Sequence, residues 1–67
     1  SKDGKVNLNT ATEADLQTIS GIVQKRAQDI LAYREEKGKF QTVDDLKNVS
    51  GIGQKTLEKL KDHVTVD

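Results

Sequence analysis

Two short turns in the sequence carry residue types that can bind an anion. The turns and the residues that follow them are Gly21-Ile22-Val23-Gln24-Lys25-Arg26 and Gly51-Ile52-Gly53-Gln54-Lys55-Thr56. A turn of this kind before a helix leaves the first backbone N–H groups of that helix unpaired, beside the positive end of the helix dipole. A phosphate fits such a place, and a glycine lets it approach the backbone closely. Lys25 and Lys55 can add charge-assisted contacts, with Arg26 and Lys59 at the rim.

The two turns belong to an internal repeat with an offset of thirty residues. Segment 12–25 lies over segment 42–55, with threonine, aspartate, leucine, serine, glycine, isoleucine, glutamine and lysine identical in register. One such turn alone is equally well explained as the end of an ordinary helix. Recurrence of the glycine, isoleucine, glutamine and lysine favours a binding role. All the residues of the two turns, together with Lys59, are therefore candidate contacts.

Each copy of the repeat predicts a helix, a tight turn and a second helix. Thr12 and Thr42 are good helix N-caps, and the apolar residues that follow them have helical spacing. Copy one is expected at about 12–37, where Gly38 stops the second helix, and copy two at about 42–62. Val6, Leu8, Val64 and Val66 alternate with polar residues, which indicates extended segments that close the core. The fold expected is all-α, with four to five short helices in tandem helix-hairpin-helix motifs related by a pseudo-twofold. The domain spans 6–67 and follows a disordered lead-in or linker end at 1–5.

Composition restricts the functions open to the chain. It has 67 residues, no cysteine, and equal numbers of basic and acidic residues (11 each), which fits one small soluble domain. Tyr33 and Phe40 are its only aromatic residues, too few for a platform that stacks unpaired bases. The net charge of zero argues mildly against a nucleic-acid partner, although a local basic patch suffices at a screening length of about 8–10 Å.

No set of residues predicts catalysis. His63 is the single histidine, and Asp44 and Asp45 are consecutive residues, which do not share a helix face. No nucleophile, base and orienting group are apparent, so we expect no enzyme activity, no small-molecule substrate and no resident metal or cofactor.

The chain resembles the C-terminal domain of ComEA-type late competence proteins, the DNA receptors of natural transformation. The residues that carry the resemblance are Val6-Asn7-Leu8-Asn9-Thr10-Ala11, Leu16-Gln17-Thr18-Ile19-Ser20-Gly21-Ile22, Tyr33-Arg34-Glu35-Glu36, Gly38-Lys39-Phe40 and Val49-Ser50-Gly51-Ile52-Gly53-Gln54-Lys55-Thr56. The resemblance implies binding of double-stranded DNA, in the minor groove and without sequence preference. It also implies a location on the extracellular or periplasmic face of the cell membrane, an upstream membrane tether, and other proteins of the uptake machinery as partners. Related motifs in repair enzymes add a monovalent cation at the hairpin carbonyls.

The first turn departs from the family pattern at Val23, where a second glycine is usual. A β-branched side chain there is expected to obstruct the approach of a phosphate and to disfavour the geometry of the turn. The second hairpin is therefore the stronger candidate site. The alternative function is a protein–protein interaction or scaffold module that does not bind DNA, which the zero net charge fits better.

Overall fold

The computed structural model of the chain describes residues 4–67, so most of the lead-in predicted at 1–5 lies outside the described residues. The elements in chain order are β1 (Val6–Asn7), α1 (Glu13–Gln17), α2 (Gln24–Lys37), a 3₁₀ helix (Val43–Asn48), α3 (Gln54–Leu60), a 3₁₀ turn (Lys61–His63) and β2 (Val64–Thr65). The predicted small all-α fold is confirmed. Gly38 ends α2 at φ +88°, as its position after Lys37 predicts.

The first helix differs between the two copies of the repeat. Copy one begins with the α-helix α1, whereas copy two begins with a 3₁₀ helix that ends in extended backbone at Val49. In copy two the β-branched Val43 and two aspartates take the places held by Glu13, Ala14 and Asp15 in copy one. Valine and aspartate have lower helix propensity than alanine and glutamate, and short segments readily adopt the 3₁₀ form.

Threonine and aspartate start the first helix of both copies through capping boxes, formed by Thr12 with Asp15 and by Thr42 with Asp45. In copy one the Asp15 N–H donates to Thr12 Oγ1 at 3.1 Å, and the Thr12 N–H donates to Asp15 Oδ2 at 3.0 Å. In copy two the Thr42 N–H donates to Asp45 Oδ2 at 3.2 Å, while the Asp45 N–H also lies 3.1 Å from the Thr42 carbonyl oxygen. These contacts fix where each hairpin begins.

One apolar core lies between the two copies. The largest side chains that are fully buried come from all parts of the chain: Phe40, Leu8, Leu16, Ile30, Leu46 and Leu57. The ring of the half-buried Tyr33 lies 4.9 Å from that of Phe40, centroid to centroid. Both aromatic residues are therefore used in packing.

The two chain ends pair with each other and close the core. β1 and β2 form a parallel pair in which Val6 is opposite Val64. Asn9 joins three segments, because its side chain accepts from the Phe40 N–H at 2.6 Å and donates to the Val66 carbonyl at 2.9 Å. The prediction of extended, core-closing segments is confirmed, whereas the bridging role of Asn9 has no signal in apolar periodicity.

Candidate nucleic-acid interface

The two hairpin turns have the same backbone hydrogen bonds. The Ile22 N–H donates to the Ile19 carbonyl at 3.0 Å, and the Ile52 N–H donates to the Val49 carbonyl at 3.1 Å. Gly21 and Gly51 have φ of +95° and +84°, a region that glycine enters without steric cost. Both isoleucines are buried, so each turn is fixed to the core and its tip faces solvent.

The residue after the buried isoleucine has the same conformation in both hairpins. Val23 has φ −86° and ψ 167°, and Gly53 has φ −104° and ψ −172°, both extended backbone. The expectation that Val23 disfavours the turn is therefore wrong, because a β-branched residue is comfortable in extended backbone. Val23 is 63% exposed and is not part of the core. At this position the two hairpins therefore differ only in their side chain.

Unpaired backbone donors follow each turn. The first hydrogen bond of α2 runs from the Ala27 N–H to the Val23 carbonyl at 3.0 Å, and that of α3 runs from the Leu57 N–H to the Gly53 carbonyl at 2.9 Å. No side chain caps the start of either helix. The N–H groups between each turn and these first bonds therefore have no intrahelical acceptor. A β-carbon added at Gly53 would meet no atom within 4 Å, so the second turn is open at this residue.

The cationic side chains differ between the hairpins. Lys25 Nζ lies 2.6 Å from Asp29 Oδ1, and Arg26 Nη1 lies 2.5 Å from Asp29 Oδ2. The hydrogen bond from Lys25, with the charges of Lys25 and Arg26, lowers the pKa of Asp29. Lys59 occupies the position equivalent to Asp29 in copy two, and within residues 4–67 neither Lys55 nor Lys59 forms an ion pair. Lys55 and Lys59, both on α3, are thus exposed and form no ion pair within residues 4–67.

Arg26 contacts the opposite hairpin. Its Nη1 donates to the Ser50 carbonyl at 3.1 Å, 24 residues away along the chain. The guanidinium also covers the Cα of Gly51, because a β-carbon there would collide with it. Arg26 was predicted to lie at the rim of the binding site, and the structure places it between the two copies. Its role as a direct DNA contact stays a prediction.

Gln24 and Gln54 are exposed at the start of the second helix of each copy. Gln24 Nε2 donates to Glu13 Oε2 at 3.0 Å, and Gln54 Nε2 donates to Glu58 Oε2 at 2.7 Å. Glu58 also pairs with Lys61 at 2.7 Å, which lowers the pKa of Glu58 and raises that of Lys61. Thr56 is half-buried. The Glu58 carboxylate is therefore held by Lys61 and Gln54 and forms no ion pair with Lys55.

Sequence reasoning missed two residues of this region. In the alignment of the two copies Asp29 corresponds to Lys59. This change from an acidic to a basic residue was the sequence signal that could have identified Asp29. Ser50 contributes only its carbonyl oxygen, and a main-chain atom leaves no signal in residue type. Among residues 4–67 no group of three or more His, Cys, Asp or Glu side chains is arranged to hold a metal ion. Within the same range no helix is long and apolar enough to cross a membrane.

Comparisons with known proteins identify the family to which the repeated turn belongs. A family model described as the helix-hairpin-helix motif matches residues 1–65. The chain belongs to the helix-hairpin-helix family. This helix-hairpin-helix domain is 54% identical over 65 residues to ComE operon protein 1 of Bacillus subtilis (strain 168), a match that covers 97% of the chain. The resemblance to ComEA-type domains predicted from the sequence is confirmed.

Two further relatives of the helix-hairpin-helix domain come from Homo sapiens and Haemophilus influenzae. It is 44% identical over 62 residues to endonuclease/exonuclease/phosphatase family domain-containing protein 1 of Homo sapiens, covering 92% of the chain and 11% of that protein. It is 44% identical over 61 residues to an uncharacterized protein of Haemophilus influenzae, covering 90% of the chain and 54% of that protein. The chain spans 32% of the length of ComE operon protein 1, so it corresponds to one part of these relatives.

Proposed function

We propose that the domain binds double-stranded DNA through its phosphates, without reading sequence, and that the second hairpin is the principal contact. The observation that carries the proposal is the open turn at Gly53, followed by unpaired backbone N–H groups and by the unpaired Lys55. The helix-hairpin-helix match and the relation to ComE operon protein 1 support DNA as the partner.

The binding step is the replacement of water and counterions by protein donors. Phosphate oxygens accept hydrogen bonds from the free N–H groups of the second turn, while Lys55 and Lys59 neutralise neighbouring phosphates. Contacts of this kind orient the duplex but carry no base information. Because Tyr33 and Phe40 are packed against each other, no aromatic side chain is available to stack unpaired bases, and duplex is preferred to single strand.

The cellular role that we propose is the one implied by the resemblance to ComEA-type domains. The domain takes part in DNA uptake during natural transformation, on the extracellular or periplasmic face of the membrane. We also propose a membrane tether in an upstream segment, and other proteins of the uptake machinery as partners. In this proposal the domain binds and does not catalyse, which the helix-hairpin-helix match and the relation to ComE operon protein 1 support.

A protein-interaction module is the second candidate, and one observation favours it. Val23 is the one large hydrophobic residue among residues 4–67 that is mostly exposed, and it lies at the tip of the first hairpin. An isolated apolar side chain is common on protein surfaces. DNA binding therefore remains the better-supported function.

Titration of a fluorescently labelled duplex at low salt separates the two candidates. For DNA binding we expect saturable anisotropy, with a dissociation constant of about 1–100 μM at physiological salt and tighter binding at low salt. An unlabelled duplex of unrelated sequence should compete. No saturable change at low salt would reject DNA binding and favour the interaction module.

A further inference from the structure

One carboxylate in the first hairpin binds both of the cationic side chains that the sequence offers to phosphate there. Asp29 Oδ1 accepts from Lys25 Nζ at 2.6 Å, and Asp29 Oδ2 accepts from Arg26 Nη1 at 2.5 Å. The Asp29 side chain is 15% exposed, whereas that of Lys25 is 69% exposed. Both oxygens of a mostly covered carboxylate are therefore occupied by cations of the first hairpin.

The partner of Lys25 lies on the side away from the turn. Lys25 is the second residue of α2, and Asp29 follows it by four residues, about one helical turn. The unpaired N–H groups, by contrast, are at the start of α2, before the first hydrogen bond at Ala27. A phosphate on those N–H groups must compete with Asp29 for the Lys25 ammonium, and the negative charge of Asp29 also repels it.

Copy two has the opposite charge at the equivalent position. Lys59 replaces Asp29, and Lys55, the counterpart of Lys25, forms no ion pair within residues 4–67. The carboxylate of Glu58, next to Lys59, is bound instead by Lys61 at 2.7 Å. One position of the repeat thus distinguishes a paired lysine in the first hairpin from an unpaired lysine in the second.

We propose that Asp29 is a positioning residue that holds Lys25 in competition with phosphate and so makes the first hairpin the weaker contact. The carboxylate acts through Lys25 and does not itself touch DNA. Arg26 keeps a second acceptor, the Ser50 carbonyl at 3.1 Å, so Lys25 is the side chain that loss of Asp29 releases. The proposal rests on the proposed function, phosphate binding with the second hairpin as the principal contact, and it names the residue that limits the first hairpin.

Exchange of residues between the two copies tests the proposal. Asp29→Asn and Asp29→Lys remove the carboxylate, whereas Asp29→Glu keeps one within reach of Lys25. Glu36→Gln is the matched control, because Glu36 is an exposed residue of the same helix that forms no ion pair within residues 4–67. Affinity for a labelled duplex is measured over a series of KCl concentrations, and melting curves on the same samples confirm that each variant is folded.

Asp29→Asn should bind duplex about threefold more tightly at low salt, the scale of one exposed ion pair. The slope of log K against log salt should become steeper by about one, because Lys25 adds a phosphate contact. Lys25→Gln should then remove about one unit of slope in the Asp29→Asn background, although it changes the slope of the parent less. Asp29→Lys should steepen the slope by up to about two, while Asp29→Glu and Glu36→Gln should leave it unchanged.

The reciprocal exchange is made in copy two, and it keeps the test decisive if a variant at position 29 is unfolded. Lys59→Asp places a carboxylate four residues beyond Lys55, whereas Lys59→Gln removes the same cation without adding a carboxylate. We expect Lys59→Asp to lose about one more unit of slope than Lys59→Gln, because only the aspartate can pair with Lys55. Equal slopes for these two variants would contradict the proposal.

Two further results would overturn the proposal while DNA binding by the parent stands. One is a slope for Asp29→Asn equal to that of the parent, since Lys25 would then gain no phosphate. The other is a gain for Asp29→Asn that Glu36→Gln matches or that Lys25→Gln does not abolish, which would make Asp29 a general source of repulsion. If neither the parent nor Asp29→Lys binds duplex at low salt, the proposed function is wrong and this proposal is wrong with it.

Discussion

Val23 and Gly53 occupy the same position of the two hairpins in the same extended backbone conformation, with φ of −86° and −104°. Both precede a helix whose first N–H groups are unpaired, so the backbone donors are equivalent. What differs at this position is the isopropyl group of Val23, a residue that is 63% exposed; the second hairpin has no such group. A difference in affinity between the hairpins must therefore arise from side chains, through obstruction at Val23 and through the pairing of nearby cations.

The first prediction concerns sequence preference. If phosphate contacts dominate, competition between unrelated duplexes of equal length should show less than about a threefold preference, far below the ~10³-fold or larger gap of specific binders. A single strand of the same length should compete less well than duplex. A strong preference for one sequence would show that base edges are read.

The second prediction concerns salt. A footprint of about two to four cationic contacts should give a slope of log K against log salt of roughly −2 to −4. Lys55→Gln should reduce the slope by about one, because Lys55 is unpaired. Lys25→Gln should reduce it less, since Lys25 is held by Asp29 at 2.6 Å. Equal changes in slope for the two variants would contradict the inferred asymmetry.

The third prediction concerns the two capping boxes. Thr12→Ala should cost about 1 kcal/mol of unfolding free energy, because the Asp15 N–H loses its acceptor on Thr12 Oγ1. Thr42→Ala should cost less, about 0.5 kcal/mol, since the Asp45 N–H keeps the Thr42 carbonyl at 3.1 Å. Urea denaturation monitored by circular dichroism measures both differences. A larger loss of unfolding free energy for Thr42→Ala than for Thr12→Ala would contradict this account of the two caps.

The fourth prediction concerns acid stability. The hydrogen bond from Lys25, and the charges of Lys25 and Arg26, lower the pKa of Asp29, so its ionised form stabilises the fold. This stabilisation is complete above the unfolded pKa of about 3.9 and is lost as pH falls through the lower folded value. The difference in melting temperature between the parent and Asp29→Asn should therefore be largest near neutral pH and shrink below about pH 4.

A direct titration complements the melting curves. The carboxyl carbon shift of Asp29 should report a pKa that rises toward its ordinary value in Lys25→Gln, since the largest cause of the lowering is removed. A difference in melting temperature between the parent and Asp29→Asn that is the same at pH 3 and pH 7 would mean that the ion pairs contribute nothing to folding.

The fold was predictable because its signals are local and duplicated. Glycine after an apolar stripe predicted the positive φ at Gly21 and Gly51, and Gly38 predicted the end of α2. The 3₁₀ form of segment 43–48 was not predicted, since helical spacing alone does not separate it from a short α-helix. The Arg26 contact with Ser50 could not be predicted, because it depends on how the two copies pack and ends on a main-chain oxygen.

The affinity of Gly53→Val for a labelled duplex tests the central claim most directly. Extended backbone and open space at Gly53 allow valine without strain, so the fold should remain intact. We expect affinity to fall about tenfold, because the side chain blocks backbone donors that each contribute about 1 kcal/mol. Val23→Ala should change affinity by less than about twofold, and Val23→Gly should tighten binding by up to about 1 kcal/mol.

Circular dichroism and melting curves on the same samples separate binding from folding, since glycine near the start of a helix costs up to about 1 kcal/mol in propensity. If Gly53→Val is folded and binds duplex about tenfold more weakly than the parent, the second hairpin is the phosphate site. If it is folded and binds as well as the parent, the second hairpin is not that site, and the interaction module becomes the better-supported function.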